Sequence, residues 1–221
     1  MAKISLILDE IMAAAGETTS VDSRLMKTAL LCELAGADGV VVKIKEDGLS
    51  AGAEKSIKSL KDVLDIPLAL ILPSDEKSVA RAIEIKPDMA VLQSTTPEAA
   101  TIVTKFQVAD IVVGIILPPE IDQVKAAART KADYVVFDTA AYCNSKSLTE
   151  KLAYLDNVAK SSALAQRLSM GVIVSGKLTP SQAGKFAEIE NIGEFFLGSQ
   201  VAFAAVSQGL PKALQRFKEV L

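Results

Sequence analysis

Eight short apolar runs alternate with longer helical patterns along this chain, and that alternation constrains its fold more than any other feature. The runs are ISLIL (4–8), GVVVK (39–43), PLALIL (67–72), MAVLQ (89–93), IVVGII (111–116), YVVFD (134–138), GVIVS (171–175) and EFFLG (194–198). They are apolar along almost their whole length rather than at every second residue. This pattern is typical of strands that are covered on both faces, as in a parallel sheet.

The segments between the runs carry helix signals. SRLMKTALLCELAGA is expected to place Leu25, Leu30, Leu31 and Leu34 on one apolar side and to end at Gly36. Further along the chain, two pairs have the spacing of a capping box, Ser147 with Glu150 and Thr179 with Gln182. Eight strand–helix pairs predict a single (β/α)₈ TIM barrel over residues 1–221, with an open doubly wound sheet as the main alternative.

Composition excludes several kinds of function. The chain has 221 residues and no histidine, which rules out serine–histidine and cysteine–histidine nucleophile pairs and disfavours a transition-metal site. We therefore predict no metal and no cofactor. A net charge of −3 without a basic run disfavours nucleic acid. No apolar stretch reaches the roughly 18 residues of a membrane helix, and two cysteines favour a reducing, cytoplasmic location without disulfides.

In a barrel of this type, functional residues lie at the carboxyl ends of the strands. Asp9 and Glu10 follow the first run, and because strand neighbours alternate we expect Glu10 to point away from Asp9. Asp9 and Asp138 are candidate acid–base groups or counter-ions, and Lys177 could hold a phosphate or polarise a carbonyl.

Lys43 ends a buried run, where an amine is costly unless it is paired or used. Two interpretations stay open. The amine could form a Schiff base with a carbonyl, or it could pair with Asp9 or Glu10 and only fill space. Cys32, by contrast, is expected to be plain core, and Cys143 to be unreactive.

Two glycine-containing turns follow the seventh and eighth runs, where barrels often bind phosphate at a helix N-terminus. The sequence predicts that backbone N–H groups of Ser175, Gly176, Gly198 and Ser199 bind a phosphate there.

Five segments in order, AGADGVVVKIKEDG, IEIKPDMAVL, IDQVKAAA, TAAYCNSK and FFLGSQVAFAAVSQGLPKALQRFK, resemble the pyridoxine 5′-phosphate synthase family over nearly the whole chain. The resemblance implies a (β/α)₈ barrel and an octameric assembly. It also implies a reaction that joins an amino-ketone phosphate to a deoxyxylulose phosphate, with release of water and phosphate.

This chain departs from the family pattern at the residues that carry the chemistry. The family opens with an Asn-Ile-Asp-His segment. The corresponding segment of this chain keeps Asp9, but it has Ile7 in place of the asparagine and Glu10 in place of the histidine. The strand 2 histidine aligns with Lys43. The remaining histidines, glutamates and phosphate-holding arginines align with Lys45, Gly48, Leu49, Ala69, Val136, Asp138, Lys177 and Ser199.

The sequence therefore predicts a synthase-like barrel of altered chemistry that binds a small phosphorylated carbonyl metabolite, with Lys43 as its candidate amine. If it is an enzyme, it is expected to be a condensation enzyme of the transferase or lyase type. A non-catalytic binding, structural or regulatory homologue is the alternative, and retained synthase activity is a weaker one. A homo-oligomer is expected in each case.

Overall fold

Eight parallel strands pair in chain order, and the last pairs with the first to close a barrel. The computed structural model describes residues 2–14, 21–44, 51–93 and 98–221. Positions 45, 48 and 49, which according to the resemblance align with family arginines, lie outside these ranges. The strands are β1 Lys3–Ile7, β2 Gly39–Lys43, β3 Leu68–Leu72, β4 Met89–Leu92, β5 Val112–Leu117, β6 Tyr134–Asp138, β7 Gly171–Ser175 and β8 Ile192–Leu197. The barrel prediction is confirmed, and the open sheet is wrong.

Helices surround the barrel in the same order. Those of the described residues are α1 Leu8–Ala14, α2 Val21–Leu34, α3 Ala51–Val63, α4 Glu76–Ile85, α5 Ala99–Val108, α6 Ile121–Arg129, α7 Ala140–Asn144, α8 Leu148–Arg167, α9 Pro180–Ala187, α10 Ser199–Gln208 and α11 Leu210–Lys218. Within these ranges, every helix is too short or too polar to cross a membrane.

The helix ends largely follow the sequence signals. Thr179 and Gln182 form the predicted capping box at the start of α9. Ser147 caps α8 by accepting from the Glu150 N–H, but the Glu150 carboxylate accepts from Ser145 instead of completing a box. Gly36 has a φ of +92°, as expected for a residue that ends a helix.

The predicted apolar side of α2 is wrong in part. Leu25 is buried, but Leu31 and Leu34 are 59% and 81% exposed. The buried face instead consists of Leu25, Ala29 and Cys32. These residues are four and three positions apart, so they follow the helical period more closely than the leucines do.

The interior of the barrel is filled by apolar side chains that alternate along the strands with those that face the helices. They come from seven of the strands: Ile7, Val41, Ala69, Ile71, Val91, Val136, Ile173 and Phe196. Ala69 and Val136, which according to the resemblance align with family glutamates, are both buried. The lumen beneath the mouth is therefore apolar at these two positions.

Candidate functional site at the mouth of the barrel

The first turn of α1 directs two carboxylates towards the end of β2. The Asp9 Oδ2 accepts a hydrogen bond from the Lys43 backbone N–H, with an N···O distance of 2.7 Å. The Glu10 Oε1 lies 2.7 Å from the Lys43 Nζ. The expectation that Glu10 points away from Asp9 is wrong, because α1 begins at Leu8 and strand alternation ends before these residues.

The second oxygen of Glu10 reaches the other side of the mouth. Its Oε2 accepts a hydrogen bond from the Ser199 N–H at 3.0 Å, at the first residue of α10. Gly198 makes this approach possible, since a Cβ there would lie 2.5 Å from the same oxygen. A single carboxylate therefore connects the end of β2 to the N-terminus of a ten-residue helix.

The electrostatic surroundings favour the charged form of Glu10. Burial alone would raise the pKa of its carboxyl group. The hydrogen bonds from Lys43 and from the Ser199 N–H outweigh burial, together with the charges of Lys43 and Lys177, and lower the pKa below its usual value of 4.5. Glu10 is thus an internal anion held by one ammonium group and one helix N-terminus.

A cavity of about 390 Å³ opens above this ion pair. Its lining includes five of the eight predicted site residues, and it adds others that the sequence reasoning missed. The lining residues are Glu10, Lys43, Ile71, Gln93, Ile116, Asp138, Ala140, Cys143, Asn144, Ser175, Gly176 and Lys177. Lys43, Lys177 and Asp138 therefore share one cavity, as the positions of their strands predict.

Asp138 is exposed at the end of β6, where its Oδ1 accepts from the Ala140 N–H at 3.0 Å. Its backbone carbonyl accepts from the Tyr154 hydroxyl. The carboxylate therefore supports the short turn into α7 and still faces the cavity.

Backbone N–H groups in the turns after β7 and β8 already donate hydrogen bonds to other residues of the protein. Gly176 has a φ of +152°, and its N–H donates to the Phe196 carbonyl at 3.2 Å. The Ser199 N–H donates to Glu10. Two of the four predicted phosphate-binding residues thus have their N–H groups occupied, and neither Gly198 nor Ser199 lines the cavity. The prediction of a phosphate here stays a prediction.

The two cysteines differ in their surroundings. Cys32 is fully buried, and burial raises the pKa of its thiol to about 12. It is therefore core, as expected. Cys143 lines the cavity, with its Sγ 3.7 Å from the Thr139 Oγ1.

The sequence reasoning missed the central position of Glu10, along with the cavity residues Gln93 and Asn144. Gln93 carried a usable signal, because it is the polar residue that follows the apolar part of the fourth run. Asn144 lies in α7, beyond the end of β6, where strand patterns give no signal.

The fold and this mouth define the class of protein: a single-chain (β/α)₈ barrel with an ionic site at the carboxyl ends of its strands. A family model described as "Pyridoxal phosphate biosynthesis protein PdxJ" matches residues 92–221, which is more than half of the chain. The chain belongs to this family, and the resemblance drawn from its sequence is confirmed.

Similar proteins agree with this assignment. The pyridoxine 5′-phosphate synthase of Geotalea uraniireducens (strain Rf4) is 27% identical over 231 residues, covering 97% of this chain and 96% of the relative. That of Geobacter metallireducens is 26% identical over 237 residues, covering 100% and 99%. Among solved structures, thiamine phosphate pyrophosphorylase from Pyrococcus furiosus has a TM-score of 0.67 at 13% identity, covering 99% and 94%, and supports the fold alone.

Proposed function

We propose that this protein is a family member of altered chemistry, which binds a small phosphorylated carbonyl metabolite in the mouth cavity and acts on it through Lys43. The observation that carries the proposal is the position of the Lys43 amine. It lines the cavity at the end of β2, above an apolar lumen and 2.7 Å from a carboxylate. According to the resemblance, other members of the family carry a histidine at this position.

The surroundings of Lys43 suit imine formation. The Glu10 carboxylate lies 2.7 Å from the ammonium group and can accept one of its protons. The free amine would then attack the carbonyl carbon, forming a C–N bond. The C–O bond would break as the oxygen leaves as water, taking one proton from the amine nitrogen and one back from Glu10, which leaves a protonated imine on Lys43. The apolar residues Ile71 and Ile116 line the same cavity and reduce access of bulk water to the imine.

Lys177 lines the cavity as a second cation and can pair with the phosphate of the ligand. A cation near Lys43 would also favour the neutral amine that attack requires. In this scheme Asp138, at the end of β6, faces the ligand from across the cavity. It is a candidate for proton transfer at the carbon next to the carbonyl.

Borohydride trapping tests the proposal. The protein would be incubated with dihydroxyacetone phosphate or a deoxyxylulose phosphate, reduced with sodium borohydride and analysed by peptide mass spectrometry. We expect the added mass of one reduced ligand on Lys43. Lys43→Arg should abolish it while keeping the charge beside Glu10, and the matched Lys177→Arg variant should still be labelled at Lys43.

A non-catalytic binding protein is the second candidate, and the Lys43–Glu10 ion pair favours it, because a paired ammonium group is not a nucleophile. Ligand binding by calorimetry without any trapped mass would support this candidate over the first. Absence of both binding and trapping would contradict the ligand class itself.

The remaining expectations of assembly and location stay predictions. The resemblance predicts a homo-oligomer, and α10 carries Phe203 and Val206 at 76% and 80% exposure, which suits an apolar contact between copies. Light scattering would measure the assembly. A cytoplasmic location rests on cysteine usage alone.

A further inference from the structure

Glu10 contacts the two groups that a ligand of the proposed class would need. It occupies the N–H group of Ser199 at the start of α10, and it holds the ammonium group of Lys43. An anionic group between a helix N-terminus and a lysine has the surroundings of a bound phosphate. Here the chain supplies that group itself, with one carboxylate oxygen on the lysine and the other on the helix N-terminus.

Two further observations at this helix N-terminus point in the same direction. The hydroxyl oxygen of Ser199 is buried and has no hydrogen-bond partner among the described residues. Gly198 lacks a Cβ where one would collide with the Glu10 side chain, so the backbone is open to close approach by an acidic group. An anion with more than one free oxygen could use the Ser199 N–H and hydroxyl together, whereas Glu10 uses only the N–H.

We infer that Glu10 is a specificity-determining residue that competes with phosphate for the N-terminus of α10. A phosphate group enters that position only when the Glu10 carboxylate leaves it, and the departure also breaks the Lys43 ion pair. Ligand binding would therefore release the amine at the moment when the carbonyl arrives. This inference rests on the proposed function for its ligand class, but the competition itself concerns only Glu10 and the anion.

Phosphate titrations of Glu10 variants test the competition directly. Binding of inorganic phosphate would be measured by calorimetry, and its position by the chemical shift of the Ser199 amide. Glu10→Gln keeps the shape and removes the charge, while Glu10→Ala removes both. Because a charge-assisted contact is replaced by a neutral one or by none, we expect both variants to bind phosphate at least about 10-fold more tightly than the wild type. The Ser199 amide should shift at correspondingly lower phosphate concentrations.

Glu188→Gln is the matched control, since it removes the same charge at an exposed residue outside the cavity. It should bind phosphate as the wild type does. Circular dichroism would verify that each variant is folded, and Glu10→Ala provides a second reading if Glu10→Gln fails to fold.

The outcomes separate this inference from the proposed function. Equal affinity in the wild type and in both Glu10 variants would overturn it. So would an equal gain in Glu188→Gln, or no phosphate binding by any variant. Tight binding by the Glu10 variants without imine trapping would support the competition and contradict catalysis by Lys43. Imine trapping in the wild type, combined with unchanged phosphate affinity in the Glu10 variants, would support catalysis by Lys43 and contradict the competition.

Discussion

Glu10 and Lys43 are each costly to leave unpaired at the barrel mouth, since the side chain of Glu10 is only 18% exposed. Their contact also joins α1 to β2, and through Ser199 to α10. Removing either partner leaves the other in a half-buried position. The pair is therefore expected to contribute to folding as well as to any chemistry.

Lys43→Met tests the contribution to folding. The Lys43 side chain is 39% exposed, so solvent screens part of the interaction and the expected loss in the free energy of unfolding is about 1 kcal/mol at neutral pH. Urea denaturation would measure it. Lys177→Met removes the same charge without breaking a hydrogen bond to Glu10, and it should change the free energy of unfolding by less than about 0.5 kcal/mol.

The pH dependence of this contribution follows from the lowered pKa of Glu10. The folded state binds the Glu10 proton less readily than the unfolded state. The stabilisation is therefore complete above the unfolded value of 4.5 and is lost as the pH falls through the folded value. The difference in the free energy of unfolding between wild type and Glu10→Gln should shrink between neutral pH and about pH 3. A constant difference over this range would contradict the assignment.

At the scale of elements, the turn after β7 depends on one glycine. Gly176 has a φ of +152°, which disfavours any side chain, and a Cβ at this position would overlap the Thr139 Oγ1. Thr139 is itself fully buried and bonded to the Ser175 carbonyl, so it has little room to move. The path of the chain from β7 towards Lys177 therefore requires glycine.

Gly176→Ala should lower the free energy of unfolding by about 1–3 kcal/mol through backbone strain and overlap with Thr139. Gly184→Ala is the matched control, because Gly184 lies inside α9 and a Cβ there would meet Val220 at an ordinary 3.5 Å. That variant should be neutral or slightly stabilised. Thermal and urea unfolding of the two variants would measure the contrast, and equal losses would contradict the role of Gly176.

The strands could be predicted from the sequence because both of their faces are buried, so their apolar character is continuous. The predicted and observed bounds of β2, β6 and β7 agree residue for residue. The start of α1 could not be predicted in this way. Leu8 is buried and continues the apolar run of β1, although it already belongs to the helix. The error at this junction hid the position of Glu10, whose contacts with Lys43 and Ser199 join residues distant in the chain.

At the scale of the whole molecule, the barrel agrees with the family, whereas the residues at its mouth are predicted to depart from the family pattern. The fold is the barrel that the resemblance predicts, and the cavity lies at the carboxyl ends of the strands, as expected for a TIM barrel. The lumen is apolar at Ala69 and Val136, and the mouth carries Lys43 and Lys177 in place of histidines, according to the resemblance. We therefore predict that the same scaffold presents a different set of acid–base groups to a ligand.

We predict that this protein lacks pyridoxine 5′-phosphate synthase activity. Each general acid or base contributes about 10²- to 10⁴-fold to a rate, and according to the resemblance several family groups are replaced together. The buried alanine and valine cannot transfer protons, and the Lys43 ammonium group is already paired with Glu10. Turnover of the family substrates should therefore remain near background in a coupled phosphate-release assay. Expression in a pyridoxine-requiring bacterial strain should not restore growth, whereas an active family relative expressed in parallel should. Growth supported by this chain alone would show that the replaced groups still suffice for the reaction.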